Sequence, residues 1–171
     1  MIKATGQVAS LAGSIISATG HVAGKAIEAT GKIITAIIKI PGGKKTVKLI
    51  KQGNSLFADV LINRKVQARL LLDTGATHTQ LSSTIIEKLG IKKGEGEKIV
   101  VKVAGGYAVG ARAINLKELR LSGVRAYNVR AIVLDADIKS SYDGLLGMSY
   151  LNNFKFSIDA EKGLLTLEKP K

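Results

Sequence analysis

The sequence contains no cysteine and no tryptophan, and it has only two histidines. Without cysteine the chain can form neither a disulfide bond nor a zinc–thiolate site, and it cannot use a thiol as a nucleophile. Two histidines are too few for a histidine-rich metal site, so we expect neither a metal nor another cofactor. Aromatic side chains make up only 4% of the residues, so the core must be built mainly from Val, Ile, Leu and Ala.

Acidic side chains are also scarce, because 13 of them stand against 26 lysines and arginines, which leaves a net charge of +13. This balance favours polyanionic partners, namely nucleic acid, anionic lipid or acidic proteins, although a solubilising surface has the same composition. The basic residues form no recognised nucleic-acid-binding module and aromatics are sparse. We therefore expect no specific nucleic-acid partner.

The first 42 residues differ in composition from the rest of the chain. Ala, Gly, Ile, Thr and Ser dominate them, and a Thr-Gly dipeptide recurs at residues 5, 19 and 30. The second interval, of 11 residues, matches about three helical turns and keeps one apolar face in register. We predict a helical segment rich in Ala, Gly and Ile over residues 1–42, which ends at the turn-forming residues Pro41-Gly42-Gly43.

The surface that this segment contacts is left open by its sequence. No charged side chain occurs between Ala4 and Gly24, but Gln7, His21 and many small polar residues make it a poor hydrocarbon solute. An interfacial membrane helix is therefore favoured, and a self-associating helix or a removable prosegment are the alternatives. Lysines 44, 45, 48 and 51 follow, so residues 1–45 are a candidate for contact with an anionic membrane. Membrane association is accordingly favoured over a cytoplasmic location.

Residues 46–168 have the pattern of a second, mostly-β domain, with short apolar runs between turn residues. Two short segments predict helices, Thr84 to Leu89 before Gly90 and Leu145 to Asn152 after a capping Asp143. This mixture predicts a closed or sandwiched sheet with two short helices. Strands are predicted at residues 46–51, 56–62, 66–72, 98–103, 107–114, 116–121, 127–134, 154–158 and 164–167.

A carboxylate follows the apolar run Leu70-Leu71-Leu72. Asp73 stands at the mouth of this predicted buried strand, where a carboxylate is costly unless it is hydrogen-bonded or functional. Gly75 permits a close approach of the backbone, and Thr74 supplies a hydroxyl that can brace the loop. Two such loops facing each other would pair two carboxylates for general acid–base hydrolysis of an amide bond.

Two motifs carry a family resemblance. Residues 71–77, Leu-Leu-Asp-Thr-Gly-Ala-Thr, resemble the active-site loop of the retropepsin-like (clan AA) aspartic proteases. Residues 143–151 resemble the hydrophobic-hydrophobic-Gly motif of the same family, and residues 154–159 resemble its closing strand. The resemblance runs from about Val47 to Leu167 and is greatest for the single-domain bacterial members.

The resemblance implies a role for each motif residue. Asp73 would be the catalytic aspartate, and Thr74 would brace the two subunits below the paired carboxylates. The remaining assignments are Gly75 against the substrate, Ala76 and Thr77 lining the site, and Leu145, Leu146 and Gly147 as structural support.

The resemblance also implies a flap, and the sequence differs from the viral members at one place. Gly105, Gly106 and Tyr107 would form the substrate-binding flap, because of their position between the two motifs. Viral relatives carry Arg and then Asn or Asp after the second Gly, which builds an ion pair within the subunit. Here the dipeptide Met148-Ser149 stands there, so that device is absent.

The resemblance implies an aspartic endopeptidase that acts on a peptide or protein substrate. Because the chain has one Asp-Thr-Gly and is too short for two lobes, the second Asp73 would come from the other subunit of a homodimer. The alternative is a non-catalytic interaction module, dimeric or membrane-associated, on the same fold, since a fold alone does not establish activity.

Overall fold

The computed structural model describes residues 37–39, 43–103, 105–136 and 141–170. The predicted helical segment lies outside these residues, apart from residues 37–39. The two described helices are α1 (Ser83–Leu89) and α2 (Met148–Leu151). The described strands are β1 (Ile37–Lys39), β2 (Lys44–Lys48), β3 (Ile50–Gln52), β4 (Ser55–Ile62), β5 (Val66–Leu72), β6 (Thr79–Leu81), β7 (Glu97–Lys102), β8 (Ala108–Leu121), β9 (Val124–Leu134), β10 (Gly144–Leu146), β11 (Lys155–Asp159) and β12 (Leu164–Glu168).

Eight of the described strands form one sheet that closes on itself. Their order is β3-β4-β5-β10-β6-β9-β8-β7, and β4 also pairs with β8 through residues 60–62. This additional pairing closes a ring of six strands in the order β4-β5-β10-β6-β9-β8. Strands β3 and β7 pair with β4 and β8 outside the ring. The mostly-β closed fold expected from the sequence is thus confirmed. Closure leaves the strands of the ring without exposed edges.

The centre of the sheet is built from a crossing of distant segments. Strand β10 runs parallel to β5, with Leu145 opposite Leu71, and antiparallel to β6, with Gly144 opposite Leu81. Residues 79–81 therefore form a strand where none was predicted, and the segment predicted as the start of a helix at Leu145 is also a strand. Gly144 decides this outcome, because its φ of +145° suits glycine and a Cβ there would overlap the carbonyl oxygen of Gln80.

Four described strands form a second sheet in the order β1-β2-β12-β11. The predicted strand at residues 46–51 is divided at Leu49, which is buried and sends β2 to this sheet and β3 to the other. Ile37–Lys39 pairs with β2 as a strand, so the helical prediction is wrong for these three residues. The β-branched pair at residues 37 and 38 fits a strand as readily as a helix, and pairing with β2 decides between them.

Helix α1 follows the signals in its sequence closely. The Ser82 side chain accepts a hydrogen bond from the backbone N–H of Ile85, and Gly90 ends the helix with a φ of +78°. Ile85 and Ile86 are buried on the barrel. Helix α2 is shorter than predicted and begins after Gly147 without a side-chain cap, so Asp143 does not cap it.

The core of the barrel is aliphatic, as the composition requires. Tyr150 of α2 is the one fully buried aromatic side chain among the described residues. Its hydroxyl donates to the carbonyl of Val124 at 3.2 Å, and its ring packs on Phe154 with 5.3 Å between centroids. Burial raises the pKa of Tyr150 well above its ordinary value. The largest other fully buried side chains are Ile62, Leu70, Leu81, Ile85, Leu116, Leu119, Leu121, Leu146, Leu151, Leu165 and Leu167.

Among the described residues one carboxylate is buried, and it joins the β4–β5 turn to β8. Glu118 is 3% exposed and accepts hydrogen bonds from Arg64 Nε at 3.0 Å and Arg120 Nη2 at 2.7 Å. Burial raises the pKa of Glu118, but the hydrogen bonds from Arg120 and Arg64 outweigh it, so the pKa lies below its usual value. The backbone N–H of Glu118 also donates to Asn63 Oδ1 at 3.1 Å.

Replacing Glu118 by Gln tests this ionic fastening. Because the pKa of Glu118 is lowered on folding, its charge stabilises the fold above the unfolded-state pKa of about 4.3. That stabilisation is lost as the pH falls through the folded-state pKa. We predict that Glu118→Gln lowers the urea midpoint near neutral pH and flattens its fall toward acid pH. The exposed Glu87→Gln should leave both unchanged, and an unaltered midpoint in Glu118→Gln would contradict the prediction.

Candidate active site

The loop that follows β5 is tied at its start to β10. The backbone N–H of Asp73 donates to the carbonyl of Leu146 at 3.1 Å, which continues the parallel pairing of the two strands by one residue. Leu70 is fully buried, whereas Leu71 and Leu72 are half-buried. The chain thus leaves the core gradually, and Asp73 lies where the strand reaches the surface.

The Asp73 carboxylate is half-buried and held by its own loop. Its Oδ1 accepts a hydrogen bond from the backbone N–H of Gly75 at 2.8 Å. A Cβ on Gly75 would lie 3.2 Å from the same oxygen, so any side chain there would crowd the carboxylate. Glycine at residue 75 therefore lets the backbone orient the carboxylate, as its sequence position suggested.

The far side of the loop rests on the start of α2. Met148 N–H donates to the carbonyl of Ala76 at 2.8 Å, and Ser149 N–H donates to the carbonyl of Thr77 at 3.0 Å. Gly147 makes this approach sterically acceptable. A Cβ on Gly147 would overlap the carbonyl oxygen of His78 and lie 2.7 Å from that of Ala76.

Ser149 supports the loop after Asp73, a role that the sequence analysis did not predict for it. Its Oγ accepts the backbone N–H of Thr79 at 2.8 Å and is 3.1 Å from Thr79 Oγ1. Thr79 is fully buried, so this N–H would otherwise lack a partner on that side of β6. The dipeptide Met148-Ser149, noted as a departure from the viral pattern, thus anchors the loop by hydrogen bonds.

A groove of about 840 Å³ opens beside Asp73. Its apolar lining includes Val101 at the end of β7, Val103 just after it, and Ile132 and Leu134 of β9. Its volume lies in the range of small-molecule and peptide sites, and its lining combines apolar side chains with a few polar groups. The motif residues that line it are Asp73, Gly75, Ala76, Thr77 and Leu145. Thr74 is exposed outside this lining, and Leu146 and Gly147 are buried beneath it.

The predicted hairpin between the two motifs is confirmed. Val103 N–H donates to the carbonyl of Tyr107, and Gly106 N–H donates to the carbonyl of Val103, both at 3.0 Å. Gly105 and Gly106 have φ values of +96° and +81°, which only glycine adopts at low cost. Tyr107 is 73% exposed. The groove meets this hairpin at the end of β7, not at its tip.

Asp143 has a structural position near the site. Its carboxylate accepts the backbone N–H of Arg69 at 2.7 Å, and its own N–H donates to the carbonyl of Arg69 at 2.9 Å. The carbonyl of Asp143 accepts Ser82 N–H at 2.9 Å. Asp143 therefore links β5 to the turn before α1.

Metal-binding clusters and membrane-spanning helices are absent from the described residues. Within these residues, no group of three His, Asp or Glu side chains is arranged to hold a metal ion. Neither of the helices described above is long and apolar enough to cross a bilayer.

Residues 58–153 match the family model described as "gag-polyprotein putative aspartyl protease". The match covers more than half of the chain and includes the Asp73 loop, the β7–β8 hairpin and the turn at Gly147. The chain belongs to this retropepsin-like aspartic protease family. The resemblance inferred from the two motifs is thereby confirmed.

Solved structures agree with this retropepsin-like assignment. A retropepsin-like aspartic protease from Rickettsia conorii is 25% identical, with a TM-score of 0.59 over 81% of this chain and 96% of that chain. This likeness agrees with the bacterial type expected from the sequence. The retroviral protease-like domain of Ddi1 from Leishmania major is 16% identical, with a TM-score of 0.51 over 70% of this chain and 97% of that one, and it shares the fold. No curated protein matched the sequence.

Replacing Gly147 by Ala tests the packing under the loop. The added Cβ would meet two backbone carbonyls that cannot rotate away, so the loop or α2 must move. We predict a loss of about 1–3 kcal/mol in the free energy of unfolding, as for other overpacked positions. Urea denaturation measures it. Gly94→Ala is the control, because a Cβ there meets no atom within 4 Å and only its φ of +85° is strained. A Gly147→Ala variant as stable as the wild type would contradict the prediction.

Proposed function

We propose that this retropepsin-like protein is an aspartic endopeptidase whose active form is a homodimer, with one Asp73 carboxylate from each subunit. One observation carries the proposal: a half-buried carboxylate, oriented by the N–H of Gly75, lies in a groove large enough for several peptide side chains. Family membership supports hydrolysis of peptide bonds as the chemistry.

The proposed reaction is general acid–base hydrolysis without a covalent intermediate. Two like charges about 3 Å apart cannot both be ionised, so the paired carboxylates share one proton. The ionised carboxylate takes a proton from a water molecule, and the water oxygen attacks the peptide carbonyl carbon while the protonated carboxyl donates to the carbonyl oxygen. The tetrahedral intermediate then breaks its C–N bond as the leaving nitrogen takes the proton that the first carboxylate removed from water. A hydroxyl of the intermediate returns its proton to the other carboxylate, which restores the shared proton of the pair.

The need for a second subunit follows from the number of catalytic carboxylates. The described residues that line the groove contain a single carboxylate, Asp73, and the mechanism needs two. A two-fold axis beside the loop would supply the other by symmetry. The exposed Thr74 hydroxyl supports this arrangement, since it is available to the partner's loop. We assign Gly105, Gly106 and Tyr107 to a flap that covers the bound peptide.

Cleavage of a peptide library by the wild type and by Asp73→Asn tests the proposal. The Asn side chain is nearly the same size but cannot accept the proton, so we predict a loss of at least about a hundredfold in rate. The assay runs from mildly acidic to neutral pH, with and without the transition-state analogue pepstatin, which should inhibit the wild type.

The matched control for this test is Asp159→Asn, at a carboxylate on β11 outside the described lining of the groove. It should cleave as the wild type does. Equal cleavage by the wild type and Asp73→Asn would reject the assignment of Asp73. A wild type that sediments as a monomer and cleaves nothing would favour the non-catalytic interaction module instead.

A further inference from the structure

The ionisable side chains that line the groove include more basic groups than carboxylates. Among the described residues that line it, Asp73 is the one carboxylate, whereas Lys102 and His78 are basic. The proposed chemistry uses Asp73, so no carboxylate of this lining remains to pair with a basic side chain of a ligand. An acidic side chain, in contrast, meets two basic groups there.

Lys102 is one of the described residues that line the groove. It is the last residue of β7, next to Val101 and Val103 in the wall of the groove, and it is exposed. Its cross-strand neighbour on β8 is Ala108, which carries no charge. Among the ion pairs of the described residues, none includes Lys102. The ammonium group is therefore free to pair with a ligand.

We infer, on the basis of the proposed function, that the groove selects peptides with an acidic side chain close to the cleaved bond, and that Lys102 is the specificity-determining residue. Lys102 supplies a positive charge to the lining of the groove at the end of β7. His78 lines the same groove and can donate a hydrogen bond to a carboxylate in either of its protonation states.

The charge of the whole chain acts in the same direction as Lys102. In a symmetric dimer the groove contains two copies of Lys102 and His78, against two Asp73 that share a proton. A net charge of +13 per chain attracts acidic peptides at a distance and repels basic ones. Close pairing with Lys102 then discriminates between substrates, and a like charge in the same place is rejected.

Matched peptides that differ at one position test the inference. Each peptide carries Glu, Gln or Lys next to the cleaved bond, and kcat/KM is measured for the wild type. We expect the order Glu, Gln, Lys, with about fivefold between neighbours, since an exposed ion pair contributes an effect of that size. Lys102→Gln should remove most of the preference for Glu over Gln, and Lys102→Glu should make the Lys peptide a better substrate than the Glu peptide. High salt should reduce the preference of the wild type.

Lys98→Gln is the matched control, because Lys98 is an exposed residue of the same strand outside the described lining. It removes the same charge and should retain the order of the wild type. Equal loss of preference in both variants would overturn the role of Lys102 and indicate an effect of net charge alone. Equal kcat/KM for the Glu and Gln peptides in the wild type would overturn the inference itself.

Peptide binding to Asp73→Asn separates this inference from the proposed function. Fluorescence anisotropy gives Kd for the three peptides without cleavage. A preference for Glu that disappears on adding Lys102→Gln supports the acidic selectivity even if the wild type proves inactive. Equal Kd values for the three peptides overturn it, whether or not the wild type cleaves them.

Discussion

The candidate site depends on a close backbone contact between two segments far apart in sequence. Gly147 lies against the carbonyls of Ala76 and His78, where a Cβ has no room. This approach lets the N–H groups of Met148 and Ser149 bind the loop after Asp73. Strand β10, inserted between β5 and β6, brings the two segments to this contact. The position of the carboxylate is therefore set by main-chain hydrogen bonds on both sides of the loop.

A loop fixed in this way is suited to pairing with a copy of itself. In the proposed homodimer each carboxylate would have to reach the two-fold axis in a defined orientation, because an error of about 1 Å in a catalytic group costs much of the rate. The Gly75 N–H provides that orientation at Asp73 Oδ1. The groove beside Asp73 is lined by residues of the same barrel. In the proposed dimer the barrel would therefore position both the peptide and the carboxylates.

Much of this arrangement could be predicted from the sequence, because the relevant signals are local. Ser82 and Gly90 marked the ends of α1, and the glycines at 105 and 106 marked the hairpin turn. The Asp-Thr-Gly loop and the second motif are sufficient to predict the family from the sequence. These features depend on capping, backbone dihedral angles and family patterns that a short stretch of residues carries.

The parts that sequence reasoning missed depend on distant contacts. Strands β6 and β10 have three residues each, too few to show a period, and their pairing exists only once the barrel has closed. The same holds for Ile37–Lys39, which became a strand by pairing with β2. Ser149 carried no motif of its own, and its role required the position of the Thr79 N–H. The burial of Glu118 could not be predicted either, because it depends on hydrogen bonds from Arg64 in the β4–β5 turn and from Arg120 on β8.

The central claim, that one active unit contains two Asp73 carboxylates, is tested most directly by mixing subunits. Wild type and Asp73→Asn are combined at constant total concentration, allowed to exchange, and assayed against one cleaved peptide. If both carboxylates are needed, activity follows the square of the wild-type fraction, so an equal mixture retains about a quarter of the activity. A linear decline, with half of the activity in the equal mixture, would show that a single Asp73 suffices and would contradict the account.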